Sequence, residues 1–254
     1  MHLHTGMCEA NLLISVEAVM SNTEAAYKGA VTTMKINMMQ LSKFVSWSVT
    51  GDGYVGRSTN NKNAHYSISR SPEHKDYLEM IANKFIGLQD CNVRINEYTR
   101  RDNGKTVLDL RTSSHPLFSR IRDRQYINNR RIVDKHQLTM LDWEAAAILF
   151  MDDGSTCYNN KGSMIVRIST CAYSQIEQEA LRKAFIEKLG VVWNVNRNGS
   201  TYQLNLAKQS RDRWFENISP FIVDSYQYKL PESLQKEASR TDDDFVYVAR
   251  TDNR

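Results

Sequence analysis

The chain has 254 residues, 41% of them hydrophobic and 24% charged, which is ordinary globular composition and length enough for one large domain or two smaller ones. Lys and Arg total 33 against 29 Asp and Glu, a net charge of +4 that suits a polyanionic partner without demanding one. The four cysteines, Cys8, Cys91, Cys157 and Cys171, form no CxxC pair and no Cys/His set at zinc spacing, so they read as reduced thiols. No apolar run approaches the ~20 residues that span a bilayer, and no membrane partner is expected. The opening Met-His-Leu-His, with Glu9, Glu17 and Glu24 behind it, is neither a signal nor a transit peptide. A cytoplasmic location in a bacterial or phage-infected cell is the expectation, with an organelle also open.

Residues 1–36 read as a loosely amphipathic N-terminal extension. Asn37 to Thr50 predicts a helix, with Met38, Leu41, Val45 and Val49 on one stripe, stopped by Gly51-Asp52-Gly53. Strands follow at Tyr54–Ser58 and His65–Ser69, around the polar turn Asn60–Asn63. Ser71-Pro72-Glu73 opens a helix carrying Tyr77, Leu78, Ile81 and Phe85, with Ser71 placed to cap it. Strands at Asn92–Tyr98 and Val107–Arg111 flank Asp102-Asn103-Gly104, and Ser114-His115-Pro116 starts a further helix, where His115 reads as a cap or packing residue.

The same order then recurs. An apolar helix, Leu141 to Met151, breaks at Asp152-Asp153-Gly154. Strands Ser155–Tyr158 and Met164–Thr170, a helix over Gln175–Leu189, strands Val192–Asn196 and Thr201–Leu206, and a short helix with Trp214, Phe215 and Ile218 complete it. Tyr66-Ser67-Ile68-Ser69 answers Val166-Arg167-Ile168-Ser169, and Phe118 answers Phe215. The fold class that follows is α+β, two pseudo-symmetric αββαββα repeats that behave like a homodimer in one chain. The expected organisation is an extension (1–36), a first repeat (37–130), a linker (131–139), a second repeat (140–231) and a polar tail (232–254).

Each repeat has one helix that ends in Asp-Gly: Val45-Ser46-Trp47-Ser48-Val49-Thr50-Gly51-Asp52-Gly53 and Ala146-Ala147-Ile148-Leu149-Phe150-Met151-Asp152-Asp153-Gly154. Both resemble the motif that names the LAGLIDADG homing endonucleases, the second more closely. Tyr126-Ile127-Asn128-Asn129-Arg130-Arg131 resembles the Tyr…Gly-Lys-Lys segment of the branch with a Met-Asp-Asp-Gly second motif. Ser219-Pro220-Phe221 with Tyr228-Lys229-Leu230-Pro231 resembles its terminal Tyr-Lys-Leu-Pro. The resemblance spans residues 38–231.

If the two apolar helices pack together, their C-terminal ends meet at the pseudo-axis, with Ala145, Ala146, Ala147, Ser46 and Ser48 small enough for close approach. Asp52 and Asp153 then repel one another and the helix dipoles, a cost that cations offset. Hard divalent metals with oxygen ligands fit, Mg²⁺ above all, two or more ions serving both scissile phosphates. The resemblance implies that Asp52 and Asp153 are the catalytic metal ligands, with main-chain carbonyls of Gly51 and Asp152 contributing. It places Lys229 at the family's active-site lysine and Arg131 at the matching position of the first repeat. Arg131 stays protonated and cannot readily act as a base, which points to an asymmetric site. Trp47 is bulky where the motif has a small residue, so the first helix is expected to pack differently. The plainer alternatives are turn aspartates before glycine and solvated surface cations.

Strand alternation assigns one face of each strand to the core and one to solvent. Tyr66, Ile68, Val93, Ile95, Leu108, Leu110, Val166, Ile168, Tyr202, Leu204 and Leu206 are the expected core. The expected DNA contacts in the first repeat are Ser58, Asn60, His65, Ser67, Arg70, Arg94, Asn96, Asp109 and Arg111. In the second they are Asn159, Lys161, Arg167, Ser169, Asn194, Asn196, Arg197, Gln203 and Asn205. Arg, Asn, Gln and Ser are the side chains that read major-groove edges, although any half-buried sheet shows a polar face. A saddle of such sheets suits a long duplex.

The first functional reading is thus a monomeric, metal-dependent enzyme that binds double-stranded DNA at one long site and cuts both strands with staggered ends. Two others share the fold: a group I intron maturase binding intron RNA, hinted at by the arginines of Ser119–Arg131, and a DNA-binding protein that no longer cuts. No phosphate loop, nucleotide-binding glycine fingerprint or Ser/His/Asp arrangement supports another enzyme class.

Overall fold

Asn37 starts the first helix by accepting main-chain hydrogen bonds from Met39 and Gln40 at 3.1 and 3.2 Å, the usual work of an N-cap carboxamide. A computed structural model describes residues 37–235 of the chain; readings that fall on 1–36 and 236–254 lie outside the described residues. Helix α1 (Met38–Thr50) leads into β1 (Tyr54–Gly56), β2 (His65–Arg70), α2 (Lys75–Lys84), β3 (Val93–Thr99), β4 (Thr106–Thr112) and α3 (Pro116–Gln125). A hairpin of β5 (Tyr126–Ile127) and β6 (Arg130–Arg131) follows, turning on Asn128 and Asn129, which both hold positive φ (50° and 61°) as a two-residue hairpin requires. The segment expected as a linker carries α4 (Lys135–Thr139). Then come α5 (Trp143–Asp153), β7 (Gly154–Tyr158), β8 (Met164–Ile168), α6 (Gln175–Ala184), β9 (Trp193–Asn198), β10 (Thr201–Leu206) and α7 (Arg211–Ile218).

The two four-stranded antiparallel sheets have the same order, β1-β2-β4-β3 and β7-β8-β10-β9. Two αββαββα repeats with antiparallel sheets are therefore what the chain forms. The inner faces hold Tyr66, Ile68, Leu108 and Leu110 in the first sheet and Val166, Ile168, Leu204 and Leu206 in the second, all buried under the helices. Three expected core residues are only half-buried. Val93 and Ile95 lie on the edge strand β3, and Tyr202 lies beside the β9–β10 turn.

The helix boundaries show what local signals decide. Ser71 was expected to cap α2, but its hydroxyl binds Glu73 at 2.9 Å, and a 3₁₀ turn at Pro72–His74 precedes the helix. Ser174 and Glu177 form a full capping box at α6, which continues through a π turn at Phe185–Leu189. His115 caps α3, its Nδ1 accepting from Leu117 N–H at 3.2 Å.

Helix α5 is buried on every side from Ala145 to Met151, as a core helix should be. Its N-terminal end is tied down by charge: Lys43 of α1, 6% exposed, reaches Asp142 at 2.5 Å and Glu144 at 2.9 Å, and Lys84 of α2 reaches Glu144 at 2.5 Å. Trp47 is fully buried in α1 and its indole N–H has no hydrogen-bond partner among the described residues.

Behind α1 lies a buried amide cluster. Gln125 Nε2 donates to Ser46 O at 3.0 Å and to Gln137 Oε1 at 2.8 Å, while Gln137 Nε2 donates to Ser46 O and Thr50 Oγ1. Gln137→Leu should lower stability by about 1–3 kcal/mol, since it strips buried partners from Gln125 and Thr50. Urea unfolding of the two proteins checks this, and an unchanged midpoint would contradict it.

Candidate active site and nucleic-acid face

The two motif helices meet at their C-terminal ends. A Cβ added to Gly51 would lie 2.5 Å from both Cβ and Oδ2 of Asp152, so only glycine fits there. Ser48, expected with Ser46 to permit the approach, has its hydroxyl within the first repeat instead, where Oγ pairs with Tyr66 OH at 2.7 Å. Despite Trp47, the two helix ends are therefore in contact. Gly154 is likewise fixed by crowding, since a Cβ on it would overlap the Phe150 ring.

The Asp152 side chain has no solvent exposure; what the residue exposes is main chain. All three of its hydrogen-bond partners come from the other repeat. Arg70 of β2 pairs with Oδ1, Tyr77 of α2 donates to Oδ1 at 2.9 Å, and Asp52 N–H donates to Oδ2 at 3.3 Å. Arg70 also reaches Asp52 Oδ2 at 3.2 Å and lies over the Tyr77 ring. Burial pushes the Asp152 carboxyl up to about 6, against the pull of Arg70. Arg70 was expected as a DNA contact; instead it lies on the inward face of β2 with Tyr66 and Ile68, and its guanidinium pairs with the two carboxylates at the helix junction. The second repeat returns a crossing contact, with Tyr173 OH donating to Thr50 O at 2.8 Å.

Arg131 and Lys229 occupy matching places. From β6, Arg131 Nη1 donates to the carbonyls of Val49 at 3.0 Å and Gly51 at 2.5 Å, at the end of α1. Lys229 Nζ donates to the carbonyls of Met151 at 2.6 Å and Phe150 at 3.3 Å, at the end of α5, and its own carbonyl is held by Thr156 Oγ1 at 2.6 Å. Cations belong at helix C-termini, where carbonyls lack partners. The Gly51 carbonyl, expected to face a metal, thus already accepts from Arg131. Burial pushes the Lys229 ammonium down to about 8, against the attraction of the three aspartates.

Asp153 differs from its neighbours. Among the described residues its carboxylate has no hydrogen bond and no ion pair. Burial, then the charges of Asp52 and Asp152, push it up to about 7. Asp52, by contrast, is 48% exposed and paired with Arg70. Among the described residues no three His, Cys, Asp or Glu side chains converge as a ready metal cage. The donors at the helix junction are carboxylate and main-chain oxygens, which suit a hard divalent cation, and the uncompensated charge of Asp153 is what such an ion would offset.

The open sheet faces carry matched cross-strand rows. In the first sheet Tyr54, Ser67, Arg111 and Arg94 stand side by side, followed by Ser69, Asp109 and Asn96. In the second the matching row is Ser155, Arg167, Asn205 and Asn194, with Gln203 beside Asn196. Arg94, Asn96, Arg111, Ser169, Asn194, Asn196 and Arg197 are exposed, as are the turn residues Ser58, Asn60, Asn159 and Lys161. His65, Ser67, Asp109, Gln203 and Asn205 are half-buried. Several hold one another: His65 Nε2 pairs with Arg111 at 3.1 Å and Ser69 donates to Asp109 at 2.7 Å. Arg167 is half-buried with Nη2 on Cys157 Sγ at 3.2 Å, so it is less free to reach outward than Arg111.

The sequence reading missed Tyr77 and Tyr173 as parts of this centre. Tyr77 was read only as one of the residues carried by α2, beside Leu78 and Ile81; the signal was its hydroxyl, since a buried tyrosine needs a partner at its tip.

Comparison with known proteins agrees with this architecture. Residues 47–214 match the model of the LAGLIDADG DNA endonuclease family. The homing endonuclease I-WcaI, solved bound to its DNA recognition sequence, superposes with a TM-score of 0.64 at 18% identity, over 78% of this chain and 88% of that one. The cytochrome b mRNA maturase bI2 of Debaryomyces hansenii is 24% identical over 189 residues, 72% of this chain and 70% of the relative. Its namesake from Saccharomyces cerevisiae is 22% identical over 209 residues, 77% of this chain and 48% of that longer protein. With its paired helix ends, two antiparallel sheets of the same strand order and a family match across both repeats, the chain belongs to the LAGLIDADG DNA endonuclease family.

Proposed function

We propose that the chain is a site-specific endonuclease that binds one long double-stranded DNA site and hydrolyses one phosphodiester bond on each strand, leaving staggered ends. The observation that carries this reading is Asp153, a carboxylate without a partner among the described residues, at a helix junction that also presents Asp52 and lies between two sheets with polar outer faces. Asp52 and Asp153 would hold divalent cations, Mg²⁺ first among them, with main-chain oxygen from Asp152. Such ions would supply charge stabilisation to the attacked phosphate and its leaving oxygen.

The chain's own residues do the rest. The rows led by Arg111 and Arg94 and by Arg167 and Asn194 hold the duplex across the junction. Lys229, with its ammonium pushed down to about 8, can release a proton near neutral pH and so orient or activate water on its side. Arg131 keeps its proton, and on its side it offers only charge. The two half-reactions are therefore chemically unequal.

A second reading has specific support: the two relatives from Debaryomyces hansenii and Saccharomyces cerevisiae bear the name mRNA maturase, so intron RNA is the alternative partner. Incubating the protein with Mg²⁺ and a randomised duplex library, then sequencing the product ends, separates the readings. Staggered cuts at one long motif support the endonuclease. Binding of duplex without cutting points to a DNA-binding relative, and binding of intron RNA alone to a maturase.

The face assignment has its own test. Arg111→Ala should weaken binding to the selected duplex by about 1–3 kcal/mol, whereas Arg167→Ala, tethered to Cys157, should cost less. Filter binding at fixed salt gives both numbers, and equal or absent losses would reject the ordering.

A further inference from the structure

Three cationic side chains reach the helix junction, but they do different things. Arg131 and Lys229 donate to main-chain carbonyls. Arg70 forms ion pairs, one with Asp152 and one with Asp52 at 3.2 Å, and its side chain is 9% exposed. Asp153 has neither ion pair nor hydrogen bond among the described residues. The arrangement is also one-sided. Gly51 stands where the second repeat has Asp152. Thr170, the match of Arg70 by the Ser69–Ser169 correspondence, is uncharged and donates to Gln178 at 2.9 Å.

A guanidinium fixed beside Asp52 repels any second cation there, with a strength of orders of magnitude in affinity at protein-like dielectric. Asp153 feels the charges of Arg131 and Lys229, but both are engaged with main-chain carbonyls, and it has no ion pair among the described residues, so it is left as the point of highest cation demand. Gly51 makes this possible, since without a Cβ it admits the Asp152 carboxylate into the first repeat, where Arg70 and Tyr77 hold it.

We propose that Arg70 is a positioning residue that serves as a resident counter-cation for Asp52 and Asp152, so that a divalent cation binds first at Asp153, and the strand served by Asp153 is nicked first. This rests on the endonuclease reading above.

The test is Mn²⁺ titration of the full chain followed by electron paramagnetic resonance at pH 8, paired with nicking of a duplex labelled on each strand. The wild type should show two binding classes at least about tenfold apart; Asp153→Asn should remove the tight class and Asp52→Asn the weak one. The double variant Arg70→Gln/Asp152→Asn removes one charge of each sign and keeps an acceptor for Tyr77. It should tighten the weak class about tenfold and even out the two nicking rates. Arg70→Lys, which keeps the charge, should preserve the separation.

A separation unchanged in the double variant, or one abolished by Arg131→Lys instead, overturns the role of Arg70. Loss of the tight class in Asp52→Asn overturns the order of filling, and that single variant answers even if the double one fails to fold. A wild type that binds Mn²⁺ and cuts duplex with equal sites sinks this inference alone. A wild type that neither binds Mn²⁺ nor cuts sinks the endonuclease reading with it.

Discussion

Asp153→Asn is expected to abolish cleavage and at the same time to make the metal-free protein harder to melt. On the proposed role of Asp153 in holding a metal, its loss removes several kcal/mol of transition-state stabilisation, so the rate should fall about a thousandfold or more, with duplex binding largely kept. The stability gain has a separate origin. Burial and the charges of Asp52 and Asp152 push the Asp153 carboxyl up to about 7, above its value in the unfolded chain. A raised carboxylate prefers its proton in the folded state, so ionising it destabilises the fold. The penalty is absent at acid pH, grows as pH rises toward 7, and is complete at pH 8.

The whole shift would correspond to about 4 kcal/mol. Because the group is only partly enclosed and shares its charge with two neighbours, about 1–2 kcal/mol is the expected gain from asparagine, or roughly 3–6 °C. Calorimetry in EDTA at pH 8 and pH 4 reads it directly. The variant should be the more stable protein at pH 8, keep part of that advantage at pH 5.5, and approach wild type only near pH 4, where the unfolded carboxyl also takes up its proton. Equal melting at pH 8 would mean that Asp153 carries no uncompensated charge and that the junction has no demand for a cation.

Much of this centre was legible before any coordinates. The alternating strands and the two Asp-Gly helix ends set out two αββαββα repeats, and periodicity put Tyr66, Ile68, Leu108, Leu110, Val166 and Ile168 inside, where they lie. What stayed hidden depends on contacts between repeats. Arg70 shares the parity of Tyr66 and Ile68, so strand alternation alone puts it inward, but only the meeting of Asp52 with Asp152 shows what a charged side chain does there. The contact of Tyr173 with Thr50 spans 123 residues of sequence, beyond any local pattern. Gly51 read as a helix breaker. Its negative φ of −87° shows that freedom from a Cβ, not left-handed backbone, is what the position requires.

That distinction makes Gly51→Ala the most damaging small substitution expected in the junction. In open space the change would stabilise a helix end slightly. Here the new Cβ would meet Asp152 at 2.5 Å, at an atom next to the backbone that cannot swing aside. Nor can the Asp152 carboxylate withdraw without breaking its bonds to Arg70, Tyr77 and Asp52 N–H. The helices must therefore part. Overpacking of this kind costs about 1–3 kcal/mol, and loosening the Arg70 pair adds to it, because a buried guanidinium without its partner is poorly tolerated. A loss of about 3 kcal/mol, or roughly 6–12 °C in melting temperature, is expected. A double-mutant cycle with Asp152→Gly isolates the contact. With the opposing Cβ gone, Gly51→Ala should cost at least about 1 kcal/mol less than it does in the wild type. Strict additivity of the two substitutions would show that the helix ends are held apart or together by something other than this crossing. The pairing of Asp52 with Asp152 through Arg70 would then lose its structural cause.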